Sequence, residues 1–168
     1  NNQRWSNQIE RILEDLLELV ETLHELSKSP EPVLFNVSDL IDDILTKTKH
    51  SSLIDVKWLK RMDSATVYGF QEQVGRLFRV VVYNAFEAMD GEGILKISSR
   101  DIIYNNISAI EVSITDSGKG IPKDIQEYVF ALGSPKRLLG KRSFGFGLAW
   151  AYFFLEWYGG RISFETET

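Results

Sequence analysis

The segment from Gln71 to Thr115 sets the strongest constraint on the fold. Gln71 to Met89 repeats apolar residues at helical steps: Val74, Leu77, Val80, Val81, Ala85 and Ala88, with Asn84 on the same stripe. Asp90-Gly91-Glu92-Gly93 is a turn. Ile94 to Ser99 and Ile107 to Thr115 then read as strands, joined by a polar loop through Asn105 and Asn106. A long amphipathic helix beside two half-apolar strands has to bury its stripe on a sheet. That points to an α+β chain, a two-layer α/β sandwich of a mixed sheet with helices on one face.

The rest of the chain fits this frame. Residues 4 to 28 read as one amphipathic helix on Ile9, Ile12, Leu13, Leu16, Leu19, Val20, Leu23 and Leu26. Ser27 to Pro32 ends it and serves as a linker, so two units are expected, 1–30 and 31–168. A second helix starts with Ser38 as N-cap and runs to about Lys49. Val56 to Leu59 and Val67 to Phe70 are short strand candidates, and Lys123 to Phe130 is a short helix. Gly147 to Tyr158 is a very apolar helix closed by Gly159-Gly160, with a strand expected over Arg161 to Glu165.

Cysteine is absent, and His24 and His50 are the only histidines, which argues against disulfide or thiolate and imidazole metal chemistry. No apolar run approaches the roughly 20 residues of a membrane span. The net charge of −5 gives no global attraction to nucleic acid, so a polyanion would need local positive charge.

Three segments carry chemistry, each with two readings. Asn84 faces an apolar stripe, so it is either bonded to nearby backbone or offers its amide oxygen to a hard cation such as Mg²⁺. Asp116-Ser117-Gly118-Lys119-Gly120 follows a strand, as a plain turn or as a carboxylate that accepts from a purine amine. Gly133 to Leu148 carries Lys136, Arg137, Lys141 and Arg142, then Gly145 and Gly147 at a helix start. It is a solvated loop, or a basic lid over a triphosphate whose oxygens meet the helix N-terminus.

The order and spacing of these segments resemble the ATP-binding domain shared by sensor histidine kinases, type II topoisomerases, a heat-shock chaperone family and mismatch-repair ATPases. Val80 to Ala88 resembles the N box, Asp116 to Ile121 the first glycine box and Gly145 to Leu148 the second. Phe130 stands where a phenylalanine box would lie. The histidine kinase branch is the most similar, through Gly69 to Val74 and Gly159 to Ile162. Asn84 to Met89 resembles its nitrogen-regulator-like members. The resemblance covers about residues 33 to 165.

It implies that Asn84 holds Mg²⁺, that Asp116 bonds the adenine amine, and that Gly118 and Gly120 shape the adenine pocket. It further implies that Lys136, Arg137, Lys141 and Arg142 belong to the lid, and that Gly145, Gly147 and Leu148 meet the phosphates. The function implied is transfer of the ATP γ-phosphate to a histidine on a helical hairpin, upstream of a response regulator, in the cytoplasm. The parent protein is free to be membrane-attached. Residues 1–30 then resemble the second helix of a dimerisation hairpin and suggest a homodimer. The true phosphoacceptor is expected upstream of Asn1, with His24 a helix-end residue and His50 a surface one.

Three positions depart from the pattern. Val80 stands where the N box has a second polar residue, Ser143 where a first glycine is common, and Phe146 is bulky between glycines. The family's final Gly-x-Gly-Thr strand turn is not reached by Thr168. Val80 keeps open a degenerate, non-catalytic nucleotide-binding or docking module. A serine kinase of the same superfamily and a ligand-free structural domain are further alternatives.

Overall fold

The structure, a computed structural model, describes residues 17, 20, 31–48, 50–62, 65–131 and 146–167. The helix expected over 4–28 lies outside them apart from Leu17 and Val20, both helical and exposed. The chain divides into two compact units, Glu31–Ile121 with Glu165–Thr168, and Pro122–Phe164.

The first unit holds β1 (Val33–Asn36), α1 (Val37–Lys47), β2 (Leu53–Lys60), β3 (Thr66–Gly69), α2 (Gln71–Met89), β4 (Glu92–Tyr104) and β5 (Ile107–Asp116). β1 and β3 pair antiparallel. The main sheet is mixed, in the order β2-β4-β5, with β2 parallel to β4 and β4 antiparallel to β5. Alternation along β4 assigns its faces: Leu95, Ile97 and Ser99 are buried, whereas Lys96 and Arg100 are exposed. α2 packs on β4 and β5, and α1 packs on α2, so both helices cover one face. Complete burial of Ile41, Val82, Leu95 and Ile97 marks the centre of this core, each such side chain contributing about 1.5–3 kcal/mol.

The core face of α2 is turned from the expected stripe. Leu77, Phe78, Val82, Ala85, Phe86 and Met89 are buried, while Val74, Val80, Val81, Asn84 and Ala88 are half-buried. The reason is volume. Phe78, Phe86 and Met89 fill space in the core beside the fully buried Val82, and Val74, Val80, Val81 and Ala88 are left on the flank. Asn84 therefore lies beside the core rather than in it.

Several ends differ from the sequence reading. Asn36, not Ser38, caps α1: its Oδ1 accepts from Ser38 N at 2.8 Å and Asp39 N at 3.2 Å. Ser38 is buried, and its hydroxyl donates to Met62 O at 2.8 Å. The equally buried Ser99 accepts from Met62 N at 3.1 Å, so two core hydroxyls hold one loop residue by its backbone. β4 runs on to Tyr104, paired with β5 along its length to Ile107, and the exposed Arg100 stands opposite Glu111 with their side chains paired at 2.6 Å. Residues 161–167 form no strand.

The second unit holds α3 (Lys123–Gln126) and α4 (Phe146–Trp157). Aromatic rings dominate it. Phe130 stacks on Tyr152 at 5.4 Å, and Trp150 on Phe154 at 5.3 Å. α4 ends as expected: Gly159 has φ +77°, and Gly160 N bonds Leu155 O at 2.8 Å. Among the described residues no helix is long and apolar enough to cross a membrane.

Hydrogen bonding from Arg100 holds the Glu111 carboxyl below its usual range, and Glu111 in turn raises the Arg100 guanidinium. A lowered folded-state value means that the contribution to stability is complete above the unfolded carboxylate range. It is lost as pH falls through the folded value. Both side chains are solvent-exposed, so Glu111→Gln is expected to change stability marginally at pH 7. The small difference from the parent protein should vanish in urea melts at acidic pH.

Candidate functional site

The turn after β5 is built by its own polar atoms. Asp116 Oδ1 accepts from Gly118 N at 2.9 Å, closing a local Asx turn. Ser117 bonds β4 twice, N to Ile94 O at 3.1 Å and Oγ from Ile94 N at 2.9 Å. The turn is also seated on α2: Lys119 N donates to Ala88 O at 3.3 Å. At Gly118 an added Cβ would lie 2.6 Å from the Ala88 carbonyl carbon, so only glycine lets the two backbones approach this closely. Gly120 has φ +68°, and a Cβ there would overlap Glu167 O and lie 2.9 Å from Thr166 Oγ1. Thr166 Oγ1 in turn accepts from Ile121 N at 2.9 Å.

Asn84 is one helical turn before Ala88, on the same row of α2. Its Nδ2 donates to Val80 O at 2.5 Å. The backbone-bonded reading therefore holds for the amide nitrogen, and Val80, apolar in its side chain, takes part through its carbonyl. The amide oxygen is the end that suits a hard cation. Asp116 is exposed at the last position of β5, opposite Leu95. Asn84 and the Asp116–Gly120 turn thus share one flank of the first unit, through Ala88.

Of the other expected site residues, the structure describes Gly147 and Leu148. Lys136, Arg137, Lys141, Arg142 and Gly145 fall outside the described residues, as does His24. Gly147 and Leu148 are half-buried in the first turn of α4, in the second unit. His50 is exposed, but its ring stacks on Phe86 at 4.8 Å, a contact that a lone histidine after a helix does not announce. An open polar hollow lined by Ser98, Ser99, Arg100, Glu111 and Ser113 shares no residue with the expected site.

The sequence reading missed Ser117, Thr166 and Glu167, which brace the turn through contacts distant in sequence. It also missed Gln73 and Arg76. Gln73 is 6% exposed. Arg76 is half-buried and stands eight residues before Asn84, a spacing visible in the sequence.

Among the described residues no three His, Cys, Asp or Glu side chains are gathered to hold a metal ion. A magnesium ion that arrives with a nucleotide keeps waters and phosphate oxygens as ligands. One half-buried amide oxygen beside a tight turn fits that mode.

Known proteins resemble this chain in sequence and in fold. The adaptive-response sensory kinase SasA of Prochlorococcus marinus subsp. pastoris is 29% identical over 163 residues, 95% of this chain and 43% of its own length. Sporulation kinase C of Bacillus subtilis is 26% identical over 165 residues, 95% of this chain and 35% of its own. The chain thus spans less than half the length of the curated relatives it matches. Among solved structures, the catalytic domain of histidine kinase ThkA aligns with TM-score 0.60 and 25% identity, over 75% of this chain and 80% of that one. ThkA has also been solved in complex with the response regulator protein TrrA; that structure aligns with TM-score 0.59 and 26% identity, over 79% of this chain and 40% of that one. The profile described as "Histidine kinase-, DNA gyrase B-, and HSP90-like ATPase" matches residues 69–168, more than half of the chain. The chain belongs to that ATPase family.

Proposed function

We propose that this chain is the ATP-binding catalytic domain of a two-component sensor histidine kinase, passing the ATP γ-phosphate to a histidine on a helical hairpin. The observation that carries the reading is the seating of the Asp116–Lys119 turn on Ala88, one helical turn from Asn84. It supports a reading in which a carboxylate that accepts from a purine amine and an amide oxygen that meets a hard cation serve one ligand.

In this reading Asp116 accepts from the adenine amine, and Gly118 and Gly120 keep the pocket wall close. Asn84 holds Mg²⁺. Lys136, Arg137, Lys141 and Arg142 close as a lid, and Gly145, Gly147 and Leu148 present backbone to the phosphates. The metal, when bound, neutralises phosphate charge and aligns the terminal group. The protein contributes positioning and electrostatics, which phosphoryl transfer chiefly requires. A general base is dispensable, because imidazole is itself a nucleophile. Residues 1–30 supply the second helix of the hairpin and a dimer contact. The downstream partner is a response regulator, and the compartment is the cytoplasm.

Calorimetry with a non-hydrolysable ATP analogue in Mg²⁺ tests the binding step. Saturating nucleotide is expected to stabilise the fold by about 2.7 kcal/mol at one hundred times Kd. Absence of both heat and stabilisation would remove the reading. Autophosphorylation of a longer chain that includes the upstream hairpin tests transfer. The apolar side chain of Val80 favours a second reading, a degenerate module, and binding without transfer would select it.

A further inference from the structure

The Asp116–Ile121 segment is anchored at three places, which differ in what holds them. At its entry Ser117 bonds the N and the O of Ile94 in β4. In its middle Gly118 and Lys119 rest on the Ala88 backbone of α2. β4 and α2 are continuous elements with buried faces, so the core fixes these two anchors. The exit is different. There Ile121 N donates to Thr166 Oγ1 at 2.9 Å, across a sequence separation of 45 residues. Residues 161–167 belong to no helix or strand. The chain leaves this unit after Ile121 and re-enters it at Glu165. The exit anchor therefore forms only once the chain has closed on itself.

Local geometry aims this bond. Gly120, at φ +68°, turns the backbone so closely under the returning segment that a Cβ would overlap Glu167 O. Thr166 is half-buried. Branching at Cβ limits its χ1 settings, so the hydroxyl oxygen stays where the Ile121 amide needs it. We propose that Thr166 is a positioning residue for the purine. Through Ile121 it holds the turn in the arrangement in which Asp116 accepts from the base, and it touches no ligand itself. The inference rests on the reading of Asp116 given above. Its physical basis is population. A turn pinned at entry and exit keeps its carboxylate in the binding arrangement. With the exit free, that arrangement exists for a fraction of the time, and apparent affinity falls by that fraction. Every ligand that carries the base loses equally. Nucleotide affinity thereby depends on the segment that follows α4.

Calorimetry in Mg²⁺ with the imido analogue of ATP, with ADP and with adenosine, beside urea melts, tests the role on the parent chain, Thr166→Val, Thr166→Ser and Thr66→Val. Valine keeps the shape of threonine and removes the acceptor. Thr166→Val is expected to weaken all three ligands by a similar factor, about three- to tenfold, as loss of one hydrogen bond requires. Thr166→Ser, which keeps the hydroxyl, should stay within about twofold of the parent. Thr66→Val, exposed on β3, should match the parent. A residue of the fold alone would lower the urea midpoint and leave the affinity of the folded protein intact, and that result overturns the role. So does a loss confined to the triphosphate, or a Thr166→Ser that weakens binding as much as Thr166→Val. If Thr166→Val shows no unfolding transition, amide exchange on the parent chain decides. Coupling is reciprocal, so saturating adenosine must slow exchange of the Ile121 amide; unchanged exchange overturns the role. A parent chain that binds none of the ligands removes the kinase reading itself, and the inference with it. Weakening by Asp116→Asn, with Thr166→Val at parent affinity, removes only the inference.

Discussion

Gly118→Ala is expected to weaken ATP binding more than tenfold, roughly 1.4 kcal/mol or more, while leaving the domain folded. The added methyl would stand 2.6 Å from the Ala88 carbonyl carbon and 2.7 Å from the Ala88 Cβ and oxygen. Two of these are helix backbone atoms that cannot rotate away. The turn must lift off α2, which breaks the 3.3 Å bond from Lys119 N to Ala88 O. Overpacking of this kind costs about 1–3 kcal/mol, within the stability of an ordinary domain. The lifted turn carries Asp116 with it, and a small displacement at a binding carboxylate is enough to lose its contact. Gly69→Ala is the matched control, since nothing lies within 4 Å of a Cβ there. It should leave affinity unchanged. Titration calorimetry beside urea melts separates the two effects. Wild-type affinity in Gly118→Ala would exclude this turn from the nucleotide site.

Such an argument was only partly legible in the sequence. The bounds of α2 read correctly, because its apolar period is long and the Asp90–Gly93 turn stops it sharply. Its rotation did not, because periodicity finds an apolar stripe without weighing side-chain size. Phe78, Phe86 and Met89 won the core through volume, and the stripe with Asn84 became a half-buried wall. The end of β4 was hidden for a related reason. Arg100 and Asp101 break the apolar alternation, and only the register opposite Glu111 shows that the charge is accommodated. The two-residue turn at Asn105 and Asn106, with φ of 49° and 62°, was signalled by residue type. The expected strand over 161–165 rested on local composition alone. The Asp116 motif was legible because Asp, Ser and Gly build a turn locally. Thr166 and Glu167 were not, since their bracing of Gly120 and Ile121 depends on chain closure across more than forty residues.

Asp116→Asn separates a ligand's residue from a fold's residue more sharply. In the free protein Asp116 is exposed, and its one described side-chain bond is acceptance from Gly118 N through Oδ1 at 2.9 Å. Asparagine keeps an acceptor oxygen in that place and forms the same Asx turn, so stability should change by no more than about 0.5 kcal/mol. What changes is the second oxygen, which becomes an NH₂ donor. A purine amine brought against it finds donor facing donor where the bound base has displaced water. Leaving such a pair unsatisfied costs about 1–3 kcal/mol, or roughly fivefold to more than a hundredfold in affinity. The loss should fall equally on ATP, ADP and adenosine, because all three share the base. That uniform pattern marks a contact to the base rather than to the phosphates. Should Asp116→Asn unfold the domain while the remaining folded fraction binds normally, Asp116 belongs to the fold. The adenine end of the site would then have to be sought elsewhere on the Asn84 flank.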